Sequence, residues 1–186
     1  PGAGDLLAVM TRNANPSKID IYLSKQATYD VEWNPATGAV TARLEVQLTN
    51  DAPSSGLPKV VANPIPGLDP ALNRTSLTIL TPLAVTAVTV DGEPVGVGTQ
   101  PEMRGVSRHS VLVDIPGSST RTVSFELTGE VGAAVPYLLE WIGHPGPNPS
   151  DTEVTIRTAG EGEADGSSHT FSLDERDRRL TIPLPG

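Results

Sequence analysis

The sequence predicts an all-β fold, an antiparallel, immunoglobulin-like β-sandwich of about a dozen short strands joined by loops rich in proline and glycine. Three observations lead to this prediction. Many short segments alternate apolar and polar residues with a period of two, which is the period of a half-buried strand. The 186 residues include 18 glycines and 18 prolines, with no regular spacing, as expected for turns between strands. No long segment has the apolar period of a helix.

The clearest element is a hairpin between residues 28 and 49. Its first strand places Tyr29, Val31 and Trp33 on one face, and residues 34–38, with the sequence NPATG, supply a turn. Its second strand has apolar residues at every other position: Val40, Ala42, Leu44, Val46 and Leu48. The hairpin therefore has one apolar face, which the other strands must cover.

On either side of the hairpin the pattern is less regular. Two strands are predicted before it, at residues 5–11 and 18–23, with an asparagine- and proline-containing turn between them. After it, residues 51–73 contain five prolines and no sustained period, and a loop of this length is uncommon inside a compact domain. The loop is either ordered, disordered or the site of a missed strand. If it is ordered, these apolar residues are expected to pin it to the sandwich: Val60, Val61, Ile65 and Leu68.

The rest of the chain supplies further short strands. They are predicted at residues 75–80, 83–90, 94–97, 106–115, 121–127, 137–142, 153–158, 169–173 and 179–184. Asp91-Gly92 predicts a two-residue hairpin turn. The turn at 116–119 is expected to join its flanking strands as a pair, and the charged turn at 174–177 joins the last two strands.

The strand count suggests three segments. Residues 1–24 hold the two N-terminal strands, and residues 25–130 hold enough strands for one immunoglobulin-like sandwich. The four strands within 137–186 are too few for a second sandwich. We expect them to pack on the first one, with or without residues 1–24.

The composition excludes several classes of protein. With 13 basic and 22 acidic residues, the formal charge of −9 repels nucleic acids and anionic membrane surfaces. The longest apolar run, residues 77–90, contains Pro82 and is too short to span a bilayer, so we predict no direct membrane insertion. The absence of cysteine removes disulfides and thiolate chemistry. Because the sequence starts at Pro1 without a signal sequence, we expect a fragment of a longer protein.

Three stretches resemble a known protein family. They read KIDIYLSKQATYDVEWNPATGAVTARLEVQLTNDAPSSGLP, LNRTSLTILTPLAVTAVTVDGEPV and PYLLEWIGHPGPNPSDTEVTIR. Together they are similar to the C-terminal part of the actinobacterial family called domain of unknown function 4012. The resemblance covers most of the chain. It implies a large envelope protein with an N-terminal membrane helix and this β-rich end, sometimes linked with cell-surface polysaccharide production, and it implies no activity.

One acidic segment is a candidate metal site. Glu161, Glu163 and Asp165 alternate with other residues before Gly166, as oxygen ligands do in the first half of a calcium loop. The position that should supply a bidentate glutamate is Ser172, and no helices flank the segment. We therefore prefer a mobile acidic hairpin loop, with calcium binding as the alternative. No cofactor is predicted.

The aromatic residues are candidates for carbohydrate binding. Trp33, Tyr137 and Trp141 could form a flat exposed platform for a sugar, and the last two lie on the same face of one strand. Aromatic residues make up only 4% of the chain, so a sandwich core competes for them. Glu140 would point to the opposite face from Trp141, which argues against two converging glycosidase carboxylates.

The histidines offer no recognisable site. His109, His144 and His169 lie far apart in sequence, without the close pairs of a zinc site. His109 and Ser110 are neighbours on a strand and point to opposite faces, so they cannot act together as base and nucleophile.

Taken together, the sequence predicts a non-catalytic, extracytoplasmic module of an envelope protein, tethered through a membrane helix outside this sequence. The module would act as a spacer or as a protein-interaction domain, with an envelope protein or polysaccharide as its partner. One alternative is a carbohydrate-binding module for envelope polysaccharide. The other is an enzyme domain with no recognisable site.

Overall fold

The computed structural model describes residues 4–101, 105–159 and 167–184, and in these residues the chain is all-β, as predicted. A single turn of 3₁₀ helix occupies Ile19–Tyr22. The strands are β1 (Asp5–Asn13), β2 (Leu23–Trp33), β3 (Ala39–Asn50), β4 (Asn73–Thr81), β5 (Ala84–Val90), β6 (Glu93–Pro94), β7 (Gly98–Pro101), β8 (Ser107–Ile115), β9 (Ser119–Glu130), β10 (Tyr137–Ile142), β11 (Ser150–Thr158), β12 (Ser168–Leu173) and β13 (Arg178–Ile182).

The strands form two sheets. The first sheet has the order β13-β10-β1-β4-β8-β7, and the second sheet has the order β12-β11-β2-β3-β9-β5-β6. Most neighbours are antiparallel, but β1 pairs with β10, and β2 with β11, in parallel. Both sheets are therefore mixed, whereas the sequence pattern led us to expect antiparallel pairing throughout. The difference arises because strands distant in sequence meet after the chain has crossed between the sheets.

The predicted hairpin is present and is longer than its pattern suggested. Strands β2 and β3 pair from Trp33 opposite Val40 to Leu23 opposite Asn50. In the turn, Asn34 Oδ1 accepts hydrogen bonds from two backbone N–H groups, and Gly38 adopts a φ of +80°. A side chain at Gly38 would also collide with the carbonyl oxygen of Val131, so only glycine fits this position.

Several predicted connections differ from the structure. Strands β8 and β9, which we expected to pair across residues 116–119, lie in different sheets. The turn at 174–177 joins β12 to β13 as predicted, but these two strands also lie in different sheets. The same turn residues serve an arch between sheets as well as a hairpin within one, so turn chemistry alone does not distinguish them. The predicted strand at 18–23 is the 3₁₀ turn followed by the start of β2. Of the predicted strand at 94–97, only Pro94 lies in a strand, at the end of β6, and residues 95–97 connect β6 to β7.

The inner faces of both sheets share one apolar core. A smaller cluster at one end of the sandwich consists of Ile19, Ala52, Val61 and Ala71. This cluster and two hydrogen bonds from Asn50 Nδ2, to the carbonyls of Ala71 and Ile115, fix the ends of the loop at residues 51–72. The loop is thus held by Val61, while Val60, which we also expected to anchor it, is 60% exposed.

Strands from both ends of the chain lie close together in the first sheet, with one strand between them. Strand β1 is flanked by β4 and β10, and β13 pairs with the other edge of β10. Asp5, at the start of β1, is opposite Leu139, whereas Ile182, at the end of β13, is opposite Tyr137 on the same strand. Strand β1 therefore begins, and β13 ends, at the same end of the first sheet. Among the described residues, no helix has the length and apolar character needed to cross a bilayer.

Candidate functional site

The three candidate aromatic residues lie in the core. Trp33 and Tyr137 are completely buried, with ring centroids 5.6 Å apart, and Trp141 is 3% exposed. The Trp141 indole N–H donates to the backbone carbonyl of Asp174, 3.2 Å away. The alternating pattern did place these rings on one face of their strands, but that face is the inside of the sandwich. The prediction that Trp33, Tyr137 and Trp141 form an exposed sugar-binding platform is therefore wrong.

The acidic segment that carries Glu161, Glu163 and Asp165 falls outside the described residues, so its calcium-loop prediction stays a prediction. Elsewhere, residues 4–101, 105–159 and 167–184 contain no group of three or more His, Asp or Glu side chains placed to hold a metal ion.

The histidines occupy three separate environments. His109 points inward from β8, and its Nδ1 lies 3.0 Å from the hydroxyl of Thr99. Burial lowers its pKa. His144 lies in the loop after β10, where burial, together with the positive charge of Lys25, lowers its pKa. His169 lies on the edge strand β12, opposite Ile156. The structure does not bring these imidazoles together.

A carboxyl group is buried between two tyrosines. Asp5 Oδ2 accepts hydrogen bonds from the hydroxyls of Tyr29 and Tyr137, at 2.7 and 2.6 Å. Burial raises the pKa of Asp5 to about 6, although the two hydroxyl donors oppose the rise. Burial and the neighbouring carboxyl raise the pKa of both tyrosines well above the ordinary value, so they keep their protons and donate. No sequence pattern indicates this cluster, because Asp5 precedes a run of apolar residues without alternation.

A second buried charged group lies at one end of the sandwich. Lys25 points inward from β2 and donates a 2.8 Å hydrogen bond to the carbonyl of Val9. Burial lowers its pKa, and the nearby charge of Glu175 opposes the change. Glu175 itself accepts from the backbone N–H of Gly146 and from the hydroxyl of Ser150. A signal for Lys25 was present in the sequence, because it occupies an apolar position of the alternating β2 pattern.

The outer face of the first sheet carries a shallow groove of about 320 Å³ across β1, β4 and β8. Among the described residues, the side chains that line it include no carboxylate. The polar lining residues are Thr11, Arg12, Ser76, Thr78, Arg108, Ser110 and His144. The hydroxyls of Thr78 and Ser110 are 2.9 Å apart and hydrogen-bonded across the strands. We refer to this site as the first-sheet groove.

The outer face of the second sheet carries a groove of similar size, about 350 Å³, with a different charge balance. Arg43 contacts Glu126 and Glu45 there, at 3.2 and 3.4 Å, and Arg157 contacts Asp30 at 3.3 Å. The cations of this second-sheet groove are thus neutralised by carboxylates, and the groove offers no excess positive charge to a ligand.

Comparisons with known proteins show the fold alone. No family model and no curated protein matches the sequence. A solved structure of a protein from Legionella pneumophila described as nutrient-binding is similar, with a TM-score of 0.57 at 8% identity, over 97% of this chain and 71% of that one. Yeast LTA4 hydrolase gives a TM-score of 0.49 at 11% identity, over 88% of this chain and 29% of the enzyme. An M1 zinc metallopeptidase from Deinococcus radiodurans gives 0.44 at 10% identity, over 87% and 40%.

Proposed function

We propose that this chain is a non-catalytic, extracytoplasmic module of a membrane-anchored envelope protein, and that it serves as a docking domain. Its resemblance to the domain of unknown function 4012 family supports the envelope location. Its two packed sheets, connected by arches, support the immunoglobulin-like character that we infer for it.

The observation that carries the docking role is the position of the first and last strands. Strand β1 begins and β13 ends at the same end of the first sheet, with only β10 between them. At the usual strand spacing, this places the two positions about 10 Å apart. If the parent continues beyond both strands, its chain enters and leaves the module at one end, and the body of the module projects to one side. Such a body adds little to the length of its parent and exposes its faces to partners, which favours docking over in-line spacing.

The buried ionisable groups fit a structural purpose. Asp5 and Lys25 each have hydrogen-bond partners inside the sandwich, and these partners hold strands from different parts of the chain together. Groups in such positions connect strands within the body of the module, and both are buried.

The docking role can be tested with the longer parent protein. An epitope-tagged parent and the same parent without residues 4–184 are recovered from cross-linked envelopes, and the co-purified proteins are compared. The control is a parent in which an unrelated β-sandwich with adjacent chain ends replaces the module. We expect a specific partner to be recovered only with the native module. Equal recovery with the substitute would show that the module is a spacer.

The location and the lack of activity need separate tests. Protease added to intact cells should cleave the tagged module before lysis, and protection until lysis would contradict the extracytoplasmic location. The isolated chain should release no reducing ends from purified envelope glycans. A measurable release would overturn the non-catalytic role.

A further inference from the structure

We infer that the first-sheet groove binds an acidic saccharide, with Arg12 pairing its carboxylate and the row of hydroxyls contacting its sugar hydroxyls. This inference goes beyond the docking role and does not depend on it. It also involves none of the aromatic residues that the sequence suggested for carbohydrate binding.

The charge of the groove is the first argument. The whole chain has a formal charge of −9, yet the described residues that line this groove include two arginines and no carboxylate. Arg108 donates to the side chain of Gln100 on β7. Arg12 is exposed, and its guanidinium has no hydrogen-bond or ion-pair partner within the described parts of the chain. It can therefore donate two parallel hydrogen bonds to a carboxylate without losing an existing contact.

The arrangement of the hydroxyls is the second argument. Arg12 is opposite Ser76, and Thr78 is opposite Ser110, so the hydroxyls lie next to the cation on the same face of adjacent strands. The rigid ladder of β1, β4 and β8 fixes their spacing, and the surface that they span is about 10 Å wide. Hydroxyl groups both donate and accept hydrogen bonds, which matches the hydroxyls of a sugar.

An apolar contact lies beside this polar row. Leu112 follows Ser110 on the same face of β8 and is 58% exposed. A cation, several hydroxyls and an exposed apolar side chain together suit a ring that carries a carboxylate, hydroxyls and C–H groups. An acidic peptide would use the cation but would leave most of the hydroxyls without partners.

The second-sheet groove provides a control within the same molecule. It is of similar volume, but its arginines, Arg43 and Arg157, are paired with carboxylates, whereas Arg12 has no such partner among the described residues. If any exposed arginine on a sheet were sufficient, an acidic ligand would bind both faces. The charge balance predicts binding to the first-sheet groove only.

The test uses the ¹⁵N-labelled chain and four probes: trigalacturonate, the neutral trisaccharide maltotriose, inorganic phosphate and a hexaglutamate peptide. We expect trigalacturonate to shift the resonances of Arg12, Ser76 and Thr78, and to bind more weakly as salt is added. Maltotriose, phosphate and the peptide should bind at least about tenfold more weakly, because each lacks one part of the matching chemistry.

Three substitutions locate the site. Arg12→Gln should weaken trigalacturonate binding about tenfold, the loss of one charge-assisted contact. Thr78→Val should weaken binding of the trisaccharide and leave that of the peptide unchanged. Arg157→Gln on the opposite face should change neither. All three side chains lie on outer faces, and the melting temperature of each variant verifies that it is folded.

Several results would overturn the inference. It is wrong if maltotriose, phosphate or the peptide binds as tightly as trigalacturonate. It is also wrong if Arg12→Gln leaves the affinity for trigalacturonate unchanged, or if the resonance shifts are confined to the second-sheet face. None of these results affects the docking role, which is tested through the partners of the parent protein.

Discussion

The protonation of Asp5 depends on contacts with residues that are distant from it in the sequence. Its carboxyl is 2% exposed and is held by hydroxyls from β2 and β10, so it links the two sheets. Its pKa is raised to about 6, because the removal of water penalises the charge more than the two donors stabilise it. The folded state therefore binds a proton more tightly than the unfolded state does.

This shift makes the contribution of Asp5 to stability depend on pH. The pKa of Asp5 is raised from 3.8 to about 6. Burying its charged form therefore lowers the free energy of unfolding in full at pH 7, and this loss disappears as the pH falls toward 4. Relative to the Asp5→Asn variant, we expect the free energy of unfolding of the native chain to rise by about 1 kcal/mol between pH 7 and pH 5. Urea unfolding of both proteins at several pH values measures the difference.

Tyr29→Phe provides a control for this result. It removes one of the two donors to the carboxylate, which should raise the pKa of Asp5 further. The change in the free energy of unfolding should then occur at higher pH. A difference between the native chain and Asp5→Asn that does not change with pH would contradict the prediction.

At the scale of elements, the turn between β12 and β13 is attached to the loop after β10. Asp177 Oδ1 accepts from the backbone N–H of Gly143, and the carbonyl of Asp174 accepts from the indole of Trp141. The two segments approach so closely that a side chain at Gly143 would collide with the backbone of Glu175. This contact positions β13 against β10 at the edge of the first sheet.

A substitution at Gly143 tests the importance of this close approach. Gly143→Ala should destabilise the chain by about 2 kcal/mol, because the turn at 174–177 must move to make room for the added methyl group. Gly96→Ala is the matched control, because nothing lies within 4 Å of a Cβ there, and it should have little effect. Thermal unfolding of the two variants compares them. Equal melting temperatures would show that the turn at 174–177 can move without a loss of stability.

Pairings between strands that are close in sequence were predictable, and pairings between distant strands were not. The hairpin of β2 and β3 carries its own alternation and turn, so its register follows from local residues. The arch from β8 to β9 has the same turn chemistry as a hairpin, and only the long-range pairing of β8 with β4 and of β9 with β3 distinguishes the two. The same limit applies to the aromatic residues that were predicted to bind a sugar. Alternation showed which residues share a face, but not whether that face would be covered.

At the scale of the whole molecule, both ends of the chain are needed to complete the sheets. Strand β1 lies between β4 and β10, and β11 covers the edge of β2 that is opposite β3. Residues 25–130, which the strand count suggested as a sandwich, therefore depend on strands from outside that range. The parallel pairs could not be anticipated, because no local pattern specifies which distant strands meet.

Truncation tests this dependence. A chain that begins at residue 14 lacks β1, which leaves the inner edges of β4 and β10 unpaired and removes Leu7 and Val9 from the core. We expect it to lose cooperative unfolding and the dispersed amide resonances of a folded protein. A chain that ends at residue 184 is the control and should remain folded. Native-like spectra from the shorter chain would show that β1 is dispensable.

The two parallel ladders also bear on how the protein is made. They join residue 6 to residue 140 and residue 28 to residue 153, so neither sheet can close until most of the chain is available. A high contact order of this kind slows folding and leaves early strands with unsatisfied edges during synthesis. The nascent chain therefore completes its folding later in synthesis than a simple meander would.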